Sequence, residues 1–89
     1  MFYVYLLENE QGETYAGYSA DLRKRVVEHN QGRNFSTKRH SWRCIYYEAC
    51  MEQEDARRRE RYFKTTAGRR ALRSRLKVYF YERRQPKSH

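Results

Sequence analysis

The stretch Phe2-Tyr3-Val4-Tyr5-Leu6-Leu7-Glu8 constrains the fold most, because it is aromatic and β-branched without alternating polar positions. Such a run suits a strand buried on both faces. Asn9-Glu10-Gln11-Gly12 then supplies turn chemistry, and residues 13–18 read as the second arm of a hairpin. Ser19 reads as the N-cap of a helix over residues 20–30, with Asp21 in its first turn, where the helix dipole favours an acid. Leu22, Val26 and Val27 are spaced for its buried face, and Gly32 for its end.

Residues 34–41 are polar and basic and read as a loop, and residues 42–49 as a third strand. Residues 51–64 contain neither Gly nor Pro and are rich in Arg and Glu, so they predict a second helix, with Gly68 soon after its end. A shorter helix is expected over 69–76, residues 77–81 fit either a strand or a continuing helix, and 83–89 form a basic tail expected to fray. A chain of 89 residues supports one core, so one domain over 1–82 is expected. Its class is α+β: a small, three-stranded, mainly antiparallel sheet flanked by helices in the order β-β-α-β-α-α.

Charge narrows the function. Twenty Lys and Arg stand against eleven Asp and Glu, a formal charge of +9 that repels itself unless an anionic partner screens it. Nucleic acid is the commonest such partner, while a merely soluble basic surface is the plain alternative. Cys44 and Cys50 have neither zinc-site spacing nor the density of a disulfide framework, and read as reduced packing residues. The apolar N-terminal run meets Glu8 and Glu10 at once, unlike a signal peptide or membrane span, so a cytoplasmic, nucleoid-associated protein is expected.

Thirteen of the 20 Lys and Arg fall within residues 57–87, where only Glu60 and Glu82 are acidic. Glu60 is thus an acid in a basic field. On residues alone it fits a helix-surface ion pair with Arg57 or Lys64. Tyr5 and Tyr15 fall near the middle of adjacent strands, and Arg25 and His29 are i and i+4 on one helix face. A tyrosine acts as a general base only where nearby cations or a metal-bound network withdraw its proton. Core packing for the tyrosines and a solvated helix face for Arg25 and His29 are the simpler readings.

At these residues a family resemblance emerges. Tyr3-Val4-Tyr5, with Tyr15-Ala16-Gly17 ten residues on, resembles the paired motif of the GIY-YIG nucleases. Leu22, Arg25, His29 and Asn30 look like that family's L-x-x-R-x-x-x-H-N helix, and Tyr46-Tyr47-Glu48 like its third strand. Asp55-Ala56 with Arg59-Glu60 is similar to the helix that presents the metal-binding glutamate. Lys64, Gly68 and Arg69 extend the likeness to the compact stand-alone branch, including URI-type domains. The resemblance spans roughly residues 2–76.

It implies that Tyr5 and Tyr15 position and activate the attacking water and that Arg25 steadies the scissile phosphate. Glu60 would hold one divalent cation, Mg2+ or Mn2+, and His29 would serve in proton transfer or phosphate contact. Tyr3 and Gly17 are motif positions, Gly17 letting its strand approach a helix or the substrate closely. Lys38, Arg39, Lys64, Arg69 and Arg70 are candidates for contacts to the nucleic-acid backbone. Tyr3 stands where the motif has Gly, Ala16 where it has Ile, Tyr18 where excision-repair members have Lys, and no Asn follows Asn34.

The expectation is therefore a metal-dependent endonuclease acting on DNA, with RNA as the alternative substrate. Cleavage would be structure-directed, in repair or recombination, because phosphate contacts carry no base code. The chain is expected to work as a monomer or weak dimer without a membrane. Its rivals are a nucleic-acid-binding module of the same fold that cleaves weakly or not at all, and an RNA-associated protein whose tyrosines stack on bases.

Overall fold

A computed structural model describes residues 1–33 and 37–84. Three strands, β1 (Phe2–Asn9), β2 (Thr14–Ser19) and β3 (Trp42–Cys50), form one sheet in the order β2-β1-β3, with both pairings antiparallel. Helix α1 (Leu22–Asn30) lies between β2 and β3 in sequence. Helices α2 (Gln53–Phe63), α3 (Thr66–Arg75) and α4 (Lys77–Arg84) follow β3. The class is the α+β arrangement expected, with a helix where residues 77–81 left strand or helix open. Asn34 and residues 85–89 of the tail lie outside the described residues.

The centre of the sheet explains the unbroken apolar run. Val4 and Leu6 face one side, where Ala16 joins Ala56 and Phe63 of α2, Leu72 of α3 and the half-buried Phe80 of α4. Tyr5 and Leu7 face the other side with Trp42, under Leu22 and Val26 of α1. Both surfaces of β1 are thus covered, and residues 4–9 are all buried.

Local chemistry sets the boundaries. Asn9 Oδ1 accepts from the backbone N–H groups of Gln11 and Glu13, closing the hairpin turn. The N-cap of α1 is Asp21, whose carboxylate accepts from Lys24 N–H at 3.1 Å. Ser19, expected in that role, instead accepts from Asp21 N–H and shapes the turn before the helix. The buried stripe of α1 is Leu22, Val26 and His29, at i, i+4 and i+7, while Val27 points outward and is 53% exposed. Gly32 N–H then donates to the His29 carbonyl past the helix end.

Gly68 follows the end of α2 as expected but lies inside α3, which starts at Thr66 and not near Arg69. Thr65 caps α3, its hydroxyl accepting from Gly68 N–H at 3.0 Å. A Cβ on Gly68 would stand 2.6 Å from the Tyr62 carbonyl carbon, so only glycine lets α3 abut the end of α2. On β3, Glu48 accepts two hydrogen bonds from the Arg59 guanidinium, at 2.9 and 3.1 Å, and one from the Tyr46 hydroxyl. This clamp sets the rotation of α2 and with it the direction of the neighbouring Glu60. Farther along, the buried Glu8 carboxylate receives the Tyr79 hydroxyl and Arg43, fastening α4 to the sheet.

Candidate active site

An open cleft of about 480 Å³ lies between α1, the β1–β2 hairpin and the middle of α2, and Tyr5, Tyr15, Arg25 and Glu60 line it together. Each comes from a different element, so only the tertiary fold brings them together. Lys24, on the exposed side of α1, also reaches this cleft and was not singled out by sequence.

Behind the cleft, Tyr5 is buried and its hydroxyl stands 2.9 Å from His29 Nε2. His29 is fully buried, which corrects the solvated-face reading, and its Nδ1 lies 2.7 Å from the Thr37 hydroxyl. Thr37 is fully buried too, and its carbonyl accepts from the Trp42 indole N–H at 2.7 Å. Thr37 sits in a polar loop without periodicity, so no spacing pointed to it. Asn30 closes the same corner, because its side chain donates to the Trp42 carbonyl at 2.9 Å and accepts from Trp42 N–H at 2.6 Å, acting as a strand neighbour for the first residue of β3.

Burial, the largest influence, pushes the Tyr5 phenol well above its ordinary range, with Tyr15, Glu60 and Cys44 adding to this and Arg25 opposing it. Tyr5 is therefore a neutral phenol at physiological pH, and the cations do not depress it as a base role from sequence required. Burial also lowers His29, Arg25 lowers it further, and Glu28 acts the other way. A neutral imidazole has one donor and one acceptor nitrogen. In the tautomer whose Nδ1–H donates to Thr37, Nε2 accepts from the Tyr5 hydroxyl and the Tyr5 oxygen keeps its lone pairs for the cleft.

Tyr15 is half-buried, with its ring 5.2 Å from that of His29, and Lys64 Nζ lies 5.1 Å from its ring centroid. Lys64 also pairs with Glu60 at 3.2 Å, so the helix-surface ion pair expected as the simpler reading is present. Arg25 pairs with Glu28 at 3.6 Å across one helical turn. A Cβ on Gly17 would stand 2.6 Å from Tyr5 Cζ, so this glycine makes room for the Tyr5 phenol; sequence had suggested a helix or the substrate. Tyr3 packs edge-on to Tyr47 at 6.0 Å and does not line the cleft.

The remaining basic candidates are spread out. Lys38 and Arg39 are exposed on the loop before β3, with Arg39 at a φ of 73°. Arg69 and Arg70 are exposed on α3, Arg69 lining a second cavity described below. Asp21, Glu28 and Glu60 all line the cleft, but among the described residues no three His, Cys, Asp or Glu side chains gather as a metal site, so Glu60 would act there as a lone carboxylate. That donor set fits Mg2+ or Mn2+, which take one or two carboxylates and complete their shell with water and phosphate oxygens. Among the described residues no helix is long and apolar enough to cross a membrane.

Comparison with known proteins points to one family. The family described as the GIY-YIG catalytic domain matches residues 1–74. A UPF0213 protein of Staphylococcus saprophyticus is 31% identical over 72 residues, covering 79% of this chain and 88% of its own. A UPF0213 protein of Pediococcus acidilactici is 36% identical over 67 residues, covering 71% and 68%. The solution NMR structure of a UPF0213 protein from Bacillus halodurans superimposes with a TM-score of 0.52 at 30% identity, over 83% of this chain and 84% of that one. The matched span contains every element that meets at the cleft, from the two tyrosines to Glu60, and the chain belongs to the GIY-YIG family of nuclease-type catalytic domains.

Proposed function

We propose that the cleft binds DNA and hydrolyses a phosphodiester bond with the help of one divalent cation on Glu60. The observation that carries this reading is the convergence of Tyr5, Tyr15, Arg25 and Glu60 on one open cleft, with His29 hydrogen-bonded behind Tyr5. Mg2+ or Mn2+ held by Glu60 would neutralise phosphate charge and polarise the reacting phosphorus.

The chain's own groups supply the rest. Arg25 offers a forked donor set for the non-bridging oxygens of the scissile phosphate. A water placed against the Tyr5 oxygen loses a proton to it while the Tyr5 proton passes to His29 Nε2. A neutral phenol backed by a neutral imidazole thus accepts a proton without ever becoming a free phenolate. Thr37 receives the Nδ1–H and steadies the imidazolium that forms. Tyr15, at the cleft wall, orders the water.

Specificity on this reading follows the shape or strand state of DNA, as in repair or recombination, because these contacts address phosphates and water. The basic surface of α2 and α3 supplies affinity, which is expected to fall steeply with salt. The test is a time course on labelled single-stranded, duplex and branched DNA with Mg2+, Mn2+ or EDTA. Metal-dependent cutting supports the proposal, and intact substrate under every condition removes it.

A second reading has its own observation: Lys64 already neutralises Glu60 at 3.2 Å, so the fold needs no cation there. A binding module would keep the basic surface and cut nothing. In that case DNA binding would be unchanged between Mg2+ and EDTA.

A further inference from the structure

On the opposite face of the hairpin a second cavity of about 220 Å³ opens between β2 and helices α2, α3 and α4. Its floor is apolar, made by Leu6, Ala16, Phe63 and Leu72, with the half-buried Phe80 as one wall. Its rim is cationic, made by Lys64, Arg69 and Arg73, with Thr14 beside them. No carboxylate lines it, and among the described residues Arg69 has no ion-pair partner.

This combination suits one class of ligand. An apolar floor under three cations accepts a flat, uncharged ring system tethered to phosphate, which describes a nucleotide. The volume lies below the roughly 300–1,000 Å³ of drug-sized sites, enough for a single ring system. Arg73 stands with its guanidinium carbon 5.4 Å from the Phe80 ring centroid, so the wall offers both an aromatic face and a guanidinium plane for stacking.

Position links the cavity to the cleft. Lys64 lines the cavity while its Nζ contacts Glu60 and the Tyr15 ring, which line the cleft. A strand whose phosphate lies in the cleft therefore passes Lys64 before it reaches the cavity. We propose that this cavity is a subsite for one unpaired or flipped-out base of the bound strand, with the adjoining phosphate on Arg69 and Arg73. The inference rests on the nuclease reading for its place beside the scissile phosphate. A duplex would have to give up a base pair to fill the site, so substrates with unpaired bases bind at lower cost.

The test is an NMR titration of the isotope-labelled chain with deoxyadenosine 5′-monophosphate and, in parallel, with 2-deoxyribose 5-phosphate. The nucleotide should shift the backbone amides of Ala16 and Leu72 saturably, and the sugar phosphate should leave them in place. Thr14→Phe, which fills the mouth from an exposed strand position, and Phe80→Leu, which removes the stacking face but keeps the apolar contact, should each weaken binding roughly tenfold or more. Thermal denaturation identifies a variant that fails to fold, and the other then decides the question. Equal shifts from the sugar phosphate, shifts confined to the Tyr15–Glu60 cleft, or parental binding by a folded variant would each overturn the subsite. Cleavage of labelled DNA by the parent chain is scored separately. Cutting without cavity shifts removes the subsite alone, and saturable cavity binding without cutting keeps the subsite and removes the nuclease reading.

Discussion

The Tyr5 hydroxyl and His29 Nε2 meet at 2.9 Å inside the protein, joining the central strand to the last turn of α1 through two side chains almost without solvent contact. Tyr5→Phe keeps the ring in its packing but removes the proton path and leaves His29 without its Nε2 partner. Cleavage should fall by roughly 10² or more, with stability reduced by about 1–3 kcal/mol for the orphaned nitrogen. Matched circular dichroism and single-turnover cleavage check both halves. Parental cutting by a folded Tyr5→Phe would reduce the pair to a packing contact.

The same pair makes folding sensitive to mild acid. In the unfolded chain His29 titrates near 6.5, whereas in the fold burial and Arg25 hold it lower. As pH falls below about 6.5 the unfolded chain takes up a proton that the fold resists, so the stability present above that pH is progressively lost. The thermal midpoint should be flat from pH 8 to 7, decline toward pH 5, and decline less in His29→Gln. The window stays above the range where Glu10 and Glu48, whose carboxylates the fold holds below their ordinary values, begin to protonate. A midpoint in the parent that does not change down to pH 5 would remove this coupling.

Glu60→Gln separates the two readings of that carboxylate. As no more than the half-buried ion-pair partner of the exposed Lys64 it contributes about 1 kcal/mol, and cleavage would survive its neutralisation. As the cation's ligand it is indispensable, and metal-dependent cleavage should vanish while DNA binding in EDTA persists or tightens, one repulsive charge having left the phosphate path. A cleavage time course and a binding titration on parent and variant decide between them.

Gly17→Ala tests whether the second strand was shaped around a phenol. The added methyl would meet the Tyr5 ring, with Cζ 2.6 Å away, and the ring has to move because the strand is paired to β1. Overpacking of this kind costs about 1–3 kcal/mol. The His29 ring resonances should shift with the displaced hydroxyl and cleavage should fall. Unchanged resonances together with parental cleavage would mean that the hairpin absorbs the methyl elsewhere.

Much of the arrangement was legible because local patterns and tertiary demands coincided. The unbroken apolar run of β1 reported a strand covered on both faces, and spacing placed Arg25 and His29 on one side of α1. The direction of that side was not legible. Imidazole patterns as polar, and its burial depends on Tyr5 and Thr37, which lie 24 and 8 residues away in sequence. The role of Gly68 inside α3 was hidden for a related reason, since glycine marks both helix ends and close helix contacts, and only the Tyr62 backbone tells them apart. The cavity under α4 was invisible for the same cause: its walls come from five separate elements.

The family match ends at residue 74, and α4 begins at Lys77, yet Phe80 forms a wall of the cavity and Tyr79 is anchored to Glu8 of the central strand. The cleft and the wall of the second cavity thus draw on different helices of the chain. Substitutions along α4 can reshape what fits against Leu6 and Leu72 while leaving Tyr5, Arg25 and Glu60 untouched. This helix is a separate panel hung on the second cavity alone, and the Glu8–Tyr79 fastening is what keeps the panel in register.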